Sequence, residues 1–213
     1  MLQIHTLVNG PIQENAYVLH LAGKTEAIVV DPGDEAGRLE KEIKALGLRP
    51  VLIVATHGHV DHVGAVAALA KAFGAPFAMR AADKFLLEGL EDMAAFYGQE
   101  PSQEPVINTA LRGTETLNYG GIELKVLATP GHTPGGLCFY HQASGSLFSG
   151  DTLFQGTVGR SDFEGGDHAT LVQSIHQQLL TLPDATKVYP GHGDPTSIGD
   201  ERRGNPHLQG PRA

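Results

Sequence analysis

One short segment places three imidazoles and a carboxylate side by side, and it constrains this chain more than any other feature. It reads Thr56-His57-Gly58-His59-Val60-Asp61-His62 and lies between an apolar run at 51–55 and an alanine-rich run at 63–73. This pattern predicts a loop from a buried strand to a helix, a common place for sites in α/β sheets. Residues two apart in extended backbone share a side, so His57 and His59 can converge on one ion. Asp61 and His62 are adjacent and diverge, which allows a second ion beside the first.

Three more residues of metal-ligand type follow other predicted strands. His132 lies in the segment TPGHTPG, Asp151 in SGDT and His192 in PGHG. Each has glycine beside it, and glycine lets the backbone approach a site closely. Four strand ends that all present such residues predict a single shared metal centre of seven side chains.

Two alternative interpretations of these residues do not require an active site. An isolated His-x-His would by default be a solvated, histidine-rich loop, but the whole set favours metal binding. A non-enzymatic domain that stores metal or forms oligomers would hold the same ligands without an open cleft. Seven ligands around two ions leave room for water, so we expect an enzyme.

Composition and charge narrow the class further. The chain has 213 residues with 24 acidic and 15 basic side chains, a net charge of −9, and no compensating basic run. Nucleic acid and anionic membranes are therefore not expected partners, whereas a small-molecule substrate is. The single cysteine, Cys138, fits a reducing compartment and a packing role in a predicted strand. We expect a cytoplasmic enzyme, because no signal peptide or bilayer-length apolar run is evident; the sequence does not indicate an oligomeric state.

Strand patterns and helix patterns interleave in two comparable halves. Strands are predicted at 2–8, 16–21, 26–30, 51–55, 76–79, 115–117, 122–128, 137–141, 146–149 and 187–189. Helices are predicted at 35–46, 63–73, 82–90 and 169–180, the last capped by Asp167, and 91–113 is predicted to be irregular. We therefore expect one domain over 1–213, of the α+β class, with two packed β-sheets and helices on the outer faces.

The ordered set of seven residues resembles the metallo-β-lactamase superfamily over nearly the whole chain. Four further segments, QENAY at 13–17, DPG at 31–33, GRSDF at 159–163 and ERRGNP at 201–206, resemble short, single-domain glyoxalase II-like proteins. The resemblance implies an αββα sandwich. It also implies that Asp151 bridges two metals, one held by His57, His59 and His132 and the other by Asp61, His62 and His192.

The same resemblance implies a reaction. Two divalent ions, zinc before iron or manganese, would share a water held as hydroxide, which attacks a thioester carbonyl. The implied substrate is an S-(2-hydroxyacyl)glutathione such as S-lactoylglutathione. Asp61 and Asp151 are the expected catalytic residues, and Asp61 would also accept a proton. Full-length glyoxalase II carries a C-terminal helical domain that helps hold glutathione; we expect none here, since few residues follow His192.

Other enzymes of this fold remain as alternatives. A persulfide dioxygenase would bind one iron through His57, His132 and Asp151, but the segment 190–193, PGHG, is closer to the hydrolases. Lactone hydrolysis uses the same chemistry as thioester hydrolysis. A β-lactamase is disfavoured because His62 follows Asp61, and a nuclease is disfavoured by the acidic charge.

Two further residues carry weaker predictions. Asp31 either orients the loop that bears the ligands or is only a turn aspartate. Arg160, with Asp162, either shapes the pocket or forms a structural ion pair, and we favour the ion pair.

Overall fold

Two six-stranded mixed sheets form the centre of the molecule, in a computed structural model that describes residues 1–209. The first sheet contains, side by side in chain order, β1 (Leu2–Asn9), β2 (Glu14–Leu21), β3 (Glu26–Val30), β4 (Arg49–Val54), β5 (Phe77–Arg80) and β6 (Thr109–Leu111). The second contains, from one edge to the other, β14 (Thr196–Ser197), β13 (Lys187–Pro190), β10 (Ser146–Gly150), β9 (Leu137–His141), β8 (Ile122–Ala128) and β7 (Thr116–Tyr119). A small hairpin pairs β11 (Leu153–Phe154) with β12 (Thr157–Val158).

Alternate residues of the central strands face different layers. In β3, Ala27 and Val29 pack into the apolar cluster between the first sheet and its covering helices, while Ile28 and Val30 pack into the apolar cluster between the two sheets. Phe148 of the second sheet belongs to the same inter-sheet cluster. Successive side chains of a strand point to opposite faces, so a strand that is apolar at every position needs cover on both sides. The sequence of β3 therefore requires the layered arrangement.

The helices supply that cover. The first sheet carries α1 (Ala36–Ala45) and α3 (Val66–Phe73); the second carries α6 (His168–Ser174), prolonged by a π-helical turn (Ile175–Leu179), and α7 (Ile198–Gly204). Leu39 and Ile43, four residues apart on α1, lie in the first helix–sheet cluster. The Asp167 side chain accepts a hydrogen bond from the Thr170 backbone N–H at 2.7 Å and caps α6 as expected. The predicted αββα sandwich of the α+β class is confirmed.

Several elements differ from the sequence prediction. The segment expected to be irregular contains a helix, α5 (Leu90–Tyr97), as well as β6, and the helix expected at 82–90 is only the short α4 (Lys84–Leu87). Leu90 and Ala94 are buried one helical turn apart, and Gly98 ends α5 with a left-handed backbone. One glycine and two prolines follow α5 within 98–105. Because these residues are typical of irregular structure, the short apolar face of α5 was not recognised in the sequence. The prediction also missed β14 and α7, and it missed the break that separates α2 (Val60–Val63) from α3.

Within residues 1–209, no helix combines the length and the apolar character needed to cross a bilayer.

Candidate metal centre

All seven predicted ligand residues lie just after strands, at one edge of the sandwich: five are in loops, and Asp61 and His62 are in the short helix α2. Segment 57–62 follows β4, His132 follows β8, Asp151 follows β10 and His192 follows β13. Gly191 permits a close approach of this kind, since a Cβ there would overlap Asp151 Oδ1 and lie 2.6 Å from His62 Cε1. Glycine is therefore required at this position for the loops to meet.

Three imidazoles form the first cluster. His57 Nε2 lies 3.0 Å from His59 Nδ1, and His132 Nε2 lies 3.2 Å from the former atom and 3.0 Å from the latter. The ligand atoms of a tetrahedral ion bound at about 2.0–2.1 Å are roughly 3.4 Å apart. The three nitrogens are therefore spaced for a small divalent ion between them.

The second cluster joins two imidazoles to a carboxylate, and Asp151 lies between the clusters. Asp61 Oδ2 is 3.6 Å from His62 Nε2 and 3.2 Å from His192 Nε2. Asp151 Oδ1 lies 3.3 Å from His62 Nε2, while its Oδ2 lies 3.6 Å from His132 Nε2. One carboxylate thus offers an oxygen to each cluster.

Hydrogen bonds on the outer side of the rings fix which nitrogen faces inward. His132 Nδ1 donates to the Arg160 carbonyl oxygen at 2.6 Å, and His62 Nδ1 donates to Asp31 Oδ2 at 3.1 Å. His57 Nδ1 lies 3.1 Å from Thr56 Oγ1. A neutral imidazole has one N–H, so in the neutral form that binds a metal each of these rings directs an unprotonated Nε2 into the site.

Two buried atoms of the predicted ligands have no hydrogen-bond partner within the described chain. They are His62 Nε2 and Asp151 Oδ1. Inward-facing lone pairs repel one another, and buried polar atoms without a partner cost free energy. A divalent cation at each cluster removes both penalties, so the residues present fit the metals that the fold implies.

Protonation states point the same way. Burial lowers the pKa of His57 well below its ordinary value and lowers the pKa of His59 to about 4. Burial opposes the charged form of Asp151, but the His62 imidazole outweighs it and keeps the Asp151 pKa below its usual range. Burial likewise opposes charge on His62, yet the Asp151 and Asp61 carboxylates raise its pKa. Metals bind the neutral form of an imidazole and the ionised form of a carboxylate. The carboxylates around His62 favour a positive charge at this point, which a bound cation would supply.

Asp31 takes the position expected of a residue that orients the ligand loop. It is buried and has a left-handed backbone, with φ of 50°. Its Oδ1 accepts from the Thr56 backbone N–H at 2.6 Å, and its Oδ2 accepts from Thr56 Oγ1 at 2.7 Å and faces His62. Strained backbone at a residue with three such contacts is typical of a functional site.

Sequence reasoning missed two buried acids of this centre. Asp83 accepts from the Gly58 backbone N–H at 3.0 Å, from Thr133 Oγ1 at 2.7 Å and from the Gly135 backbone N–H at 2.5 Å. It ties the loop of His57 and His59 to the loop of His132. The sequence feature that could have indicated Asp83 is its position as a charged residue just after β5, at the same sheet edge as the other loops.

The second missed acid is Glu14, whose Oε1 lies 3.8 Å from His62 Nδ1 and has no hydrogen-bond partner in the described chain. Burial raises the pKa of Glu14 well above its ordinary value. It belongs to the QENAY segment at 13–17, whose pattern indicates a family resemblance but no role for this acid.

A pocket of about 520 Å³ opens onto both clusters. Its floor contains Asp61 and Asp151, and Arg160 lies at its wall. The Arg160 guanidinium makes two hydrogen bonds of 2.7 Å to Asp162 and lies 4.0 Å from the centre of the Phe163 ring. Arg160 therefore forms an ion pair and also lines the pocket. A volume of this size suits a small-molecule substrate.

The fold and the site together define a class. A helix–sheet–sheet–helix sandwich with a His/Asp cluster suited to divalent metals at one edge is the arrangement of a metal-dependent hydrolase. The chain belongs to the metallo-beta-lactamase superfamily, whose family model matches residues 9–192. The matched span contains the six residues of the two clusters and Asp151.

Similar proteins extend over nearly the same length. Hydroxyacylglutathione hydrolase GloC of Haemophilus influenzae is 41% identical over 85% of this chain and 87% of its own. A probable metallo-hydrolase of Bacillus subtilis, YqgX, is 38% identical over 94% of this chain and 95% of its own. The B3 metallo-beta-lactamase BLEG-1 superposes with a TM-score of 0.91 at 38% identity, covering 98% of this chain and all of that one. The protein TTHA1623, solved in a di-iron-bound form, superposes with a TM-score of 0.86 at 40% identity, covering 96% of this chain and all of that one.

Proposed function

We propose that this chain is a metal-dependent thioester hydrolase that uses two divalent ions. The observation that carries the proposal is the position of Asp151, whose two carboxylate oxygens each face one ligand cluster. Likeness to the hydrolase GloC makes S-(2-hydroxyacyl)glutathiones, S-lactoylglutathione first, the substrates to test. Zinc is the first candidate metal. Iron is the second, because the similar protein TTHA1623 was solved in a di-iron-bound form.

The protein's own residues define the remaining roles. His57, His59 and His132 would hold one ion, Asp61, His62 and His192 the other, and Asp151 would contact both. When bound, the two ions acidify a water molecule and polarise a carbonyl group.

Asp61, at the pocket floor, accepts the proton of the water that attacks the thioester carbonyl carbon. The C–S bond then breaks and the sulfur leaves as a thiolate, which needs no dedicated acid. Asp31, Thr56 and the Arg160 carbonyl keep the imidazoles oriented throughout.

Metal counting combined with parallel assays tests this proposal. The protein is purified, its metals are counted per chain, and hydrolysis of S-lactoylglutathione is measured beside a chromogenic cephalosporin and a lactone. We expect two metals per chain and the highest kcat/KM with the thioester. The cephalosporin serves as the matched comparison because BLEG-1 is named a metallo-beta-lactamase.

An oxygen electrode provides the opposing measurement. One iron per chain, oxygen consumption with glutathione persulfide and no thioester hydrolysis would overturn the proposal in favour of a dioxygenase. A larger kcat/KM for the cephalosporin or the lactone would replace the thioester as substrate while leaving the hydrolytic centre in place.

A further inference from the structure

The pocket above the metal centre has one wall that takes no part in metal binding and is mainly apolar. That wall comes from α4, from α5 and from the turn between β1 and β2. Its apolar side chains are Ile12, Phe85, Leu86, Met93 and Tyr97. A wall of this kind offers dispersion contacts and the removal of apolar surface from water, and few hydrogen bonds.

Three of these side chains are unusually exposed for their type. Ile12 is 39%, Phe85 38% and Met93 41% exposed, and all three line this one pocket. Large apolar side chains gathered around a cleft indicate that something apolar covers them when the cleft is filled.

Away from the metal clusters, the charges of the pocket do not favour a strongly anionic occupant at this wall. Apart from the histidines of the two clusters, Arg160 is the single cationic side chain among the described lining residues. Both carboxylate oxygens of Asp162 already engage its guanidinium, and Glu164 adds a negative charge to the same rim. Glutathione carries two carboxylates, and charged groups placed in a cleft without partners lose hydration that nothing restores.

We propose that the apolar wall binds an uncharged hydrocarbon arm of the substrate, so that the enzyme prefers thioesters with an apolar arm to S-lactoylglutathione. This inference rests on the proposed thioesterase activity and names its substrate class. The hydrocarbon belongs either to the acyl group or to the thiol, and both present the same chemistry to Phe85 and Met93. Each methylene buried there lowers the barrier of kcat/KM by about 0.8 kcal/mol, which corresponds to roughly a fourfold increase.

Two substrate series separate the acyl source from the thiol source. In the first, the thiol is N-acetylcysteamine and the acyl chain grows from acetyl to octanoyl. In the second, the acyl group is lactoyl and the thiol is glutathione, N-acetylcysteamine or hexanethiol. We expect kcat/KM to rise about fourfold per methylene in one series until the pocket is filled, and S-lactoylglutathione to be at least tenfold poorer than the best apolar substrate. A glutathione thioester that ranks first, or no dependence on chain length in either series, overturns the proposal.

Charged substitutions in the wall provide the second test. Phe85→Lys and Met93→Lys should each lower kcat/KM for the apolar substrate at least tenfold while leaving or raising that for S-lactoylglutathione. Both positions are partly exposed, so the lysine head can reach water without disturbing the fold. Val106→Lys is the matched control, because Val106 is 75% exposed and lies outside this pocket. Equal losses for both substrates, or none, contradict the proposal.

Binding without turnover keeps the two proposals distinguishable. If no thioester of either series is hydrolysed by the metal-loaded protein, the thioesterase proposal fails. Calorimetry with the hexyl thioether of N-acetylcysteamine and with S-hexylglutathione then decides the pocket. Tighter binding of the uncharged thioether, with a negative heat-capacity change that Met93→Lys removes, supports the apolar wall. Absence of that binding overturns it.

Discussion

His62 has acidic side chains beside both of its ring nitrogens. The ring is fully buried, with Nδ1 directed at Asp31 and Nε2 between Asp61 and Asp151. The ring therefore connects Asp31 to the second cluster. Removal of its imidazole should affect the metal of that cluster and not the metal of the first.

We expect His62→Ala to retain the first metal and lose the second, with kcat for hydrolysis reduced by more than about 100-fold. Mutation of residues that only hydrogen-bond to metal ligands already lowers metal affinity or activity by about 10–100-fold. Metal counting per folded chain, together with kcat, measures this. His192→Ala, at a less buried ligand, should behave in the same way even if the first variant folds poorly. His176→Ala is the control, because His176 is exposed and lies outside both clusters. Full activity of either ligand variant would indicate a mononuclear mechanism.

At the residue scale, the sequence was informative where side chains of unusual type cluster along the chain. The string at 57–62 could be recognised because so many ligand types within six positions are rare as packing. Asp83 and Glu14 could not be recognised. Each is a single acid whose role depends on distant contacts, Glu14 with His62 48 positions away and Asp83 with Thr133 50 positions away, and sequence spacing carries no such information.

Among the elements, the loops after β4 and β8 depend on a shared support. Asp83 holds Gly58 of one loop and Thr133 and Gly135 of the other through three hydrogen bonds. The loops belong to different sheets, so this carboxylate joins the two halves of the first cluster.

Asp83→Asn should therefore loosen that cluster. An amide nitrogen in place of one oxygen faces an N–H or O–H donor, which costs about 1–3 kcal/mol in the free energy of unfolding. We also expect metal affinity to fall about 10–100-fold. Urea unfolding of the metal-free protein and a competitive chelator titration measure the two effects. Asp92→Asn, on the exposed face of α5, is the matched control; an unchanged chelator titration for Asp83→Asn would show that the loops hold without it.

The pairing of β1 with β2 creates a pH dependence far from the metal centre. His5 and His20 stack with ring centres 5.2 Å apart and Nε2 atoms 3.1 Å apart. Burial, and then the neighbouring His20, lower the pKa of His5 below the ordinary 6.5. The unfolded chain thus binds more protons than the folded one just below pH 6.5, and the stability contributed above that pH is lost as the pH falls.

His5→Gln should accordingly flatten the pH dependence of unfolding. We expect wild type to lose stability relative to the variant between pH 7 and pH 5, as measured by urea unfolding at both pH values. His176→Gln, at an exposed histidine, should retain the wild-type slope. Parallel pH curves for wild type and His5→Gln would contradict the assignment.

At the element scale, long periodic helices were predictable and the short helix α5 was not. The helix α1, and the helix α6 together with its π-helical turn, repeat apolar residues over several turns, and both were predicted close to their observed bounds. The eight residues of α5 bury only Leu90 and Ala94, and its conformation depends on packing rather than on its own pattern.

Over the whole molecule, the candidate ligands come from both sheets. The segment 57–62 follows a strand of the first sheet, while His132, Asp151 and His192 follow strands of the second. An ion held by both groups cross-links the sandwich and is absent from the unfolded chain. Metal binding is then part of the folding free energy.

Metal removal should lower thermal stability. At a metal concentration of about 1,000 Kd the bound form gains about 4 kcal/mol, which corresponds to a rise in Tm of roughly 8–16 °C for a chain of this size. Thermal unfolding of chelated protein, before and after addition of zinc, measures the shift. Magnesium is the control, since it prefers oxygen ligands. Equal Tm values with and without zinc would mean that the clusters bind no structural cation.

The separation of the pocket wall from the ligand loops has an evolutionary consequence. Residues 84–97 supply most of that wall and none of the predicted ligands. Drift in this short stretch can therefore alter which molecules are accepted while the hydrolytic apparatus stays intact. We expect natural variants of this architecture to exchange substrates chiefly through 84–97, and a graft of that stretch to transfer selectivity between them.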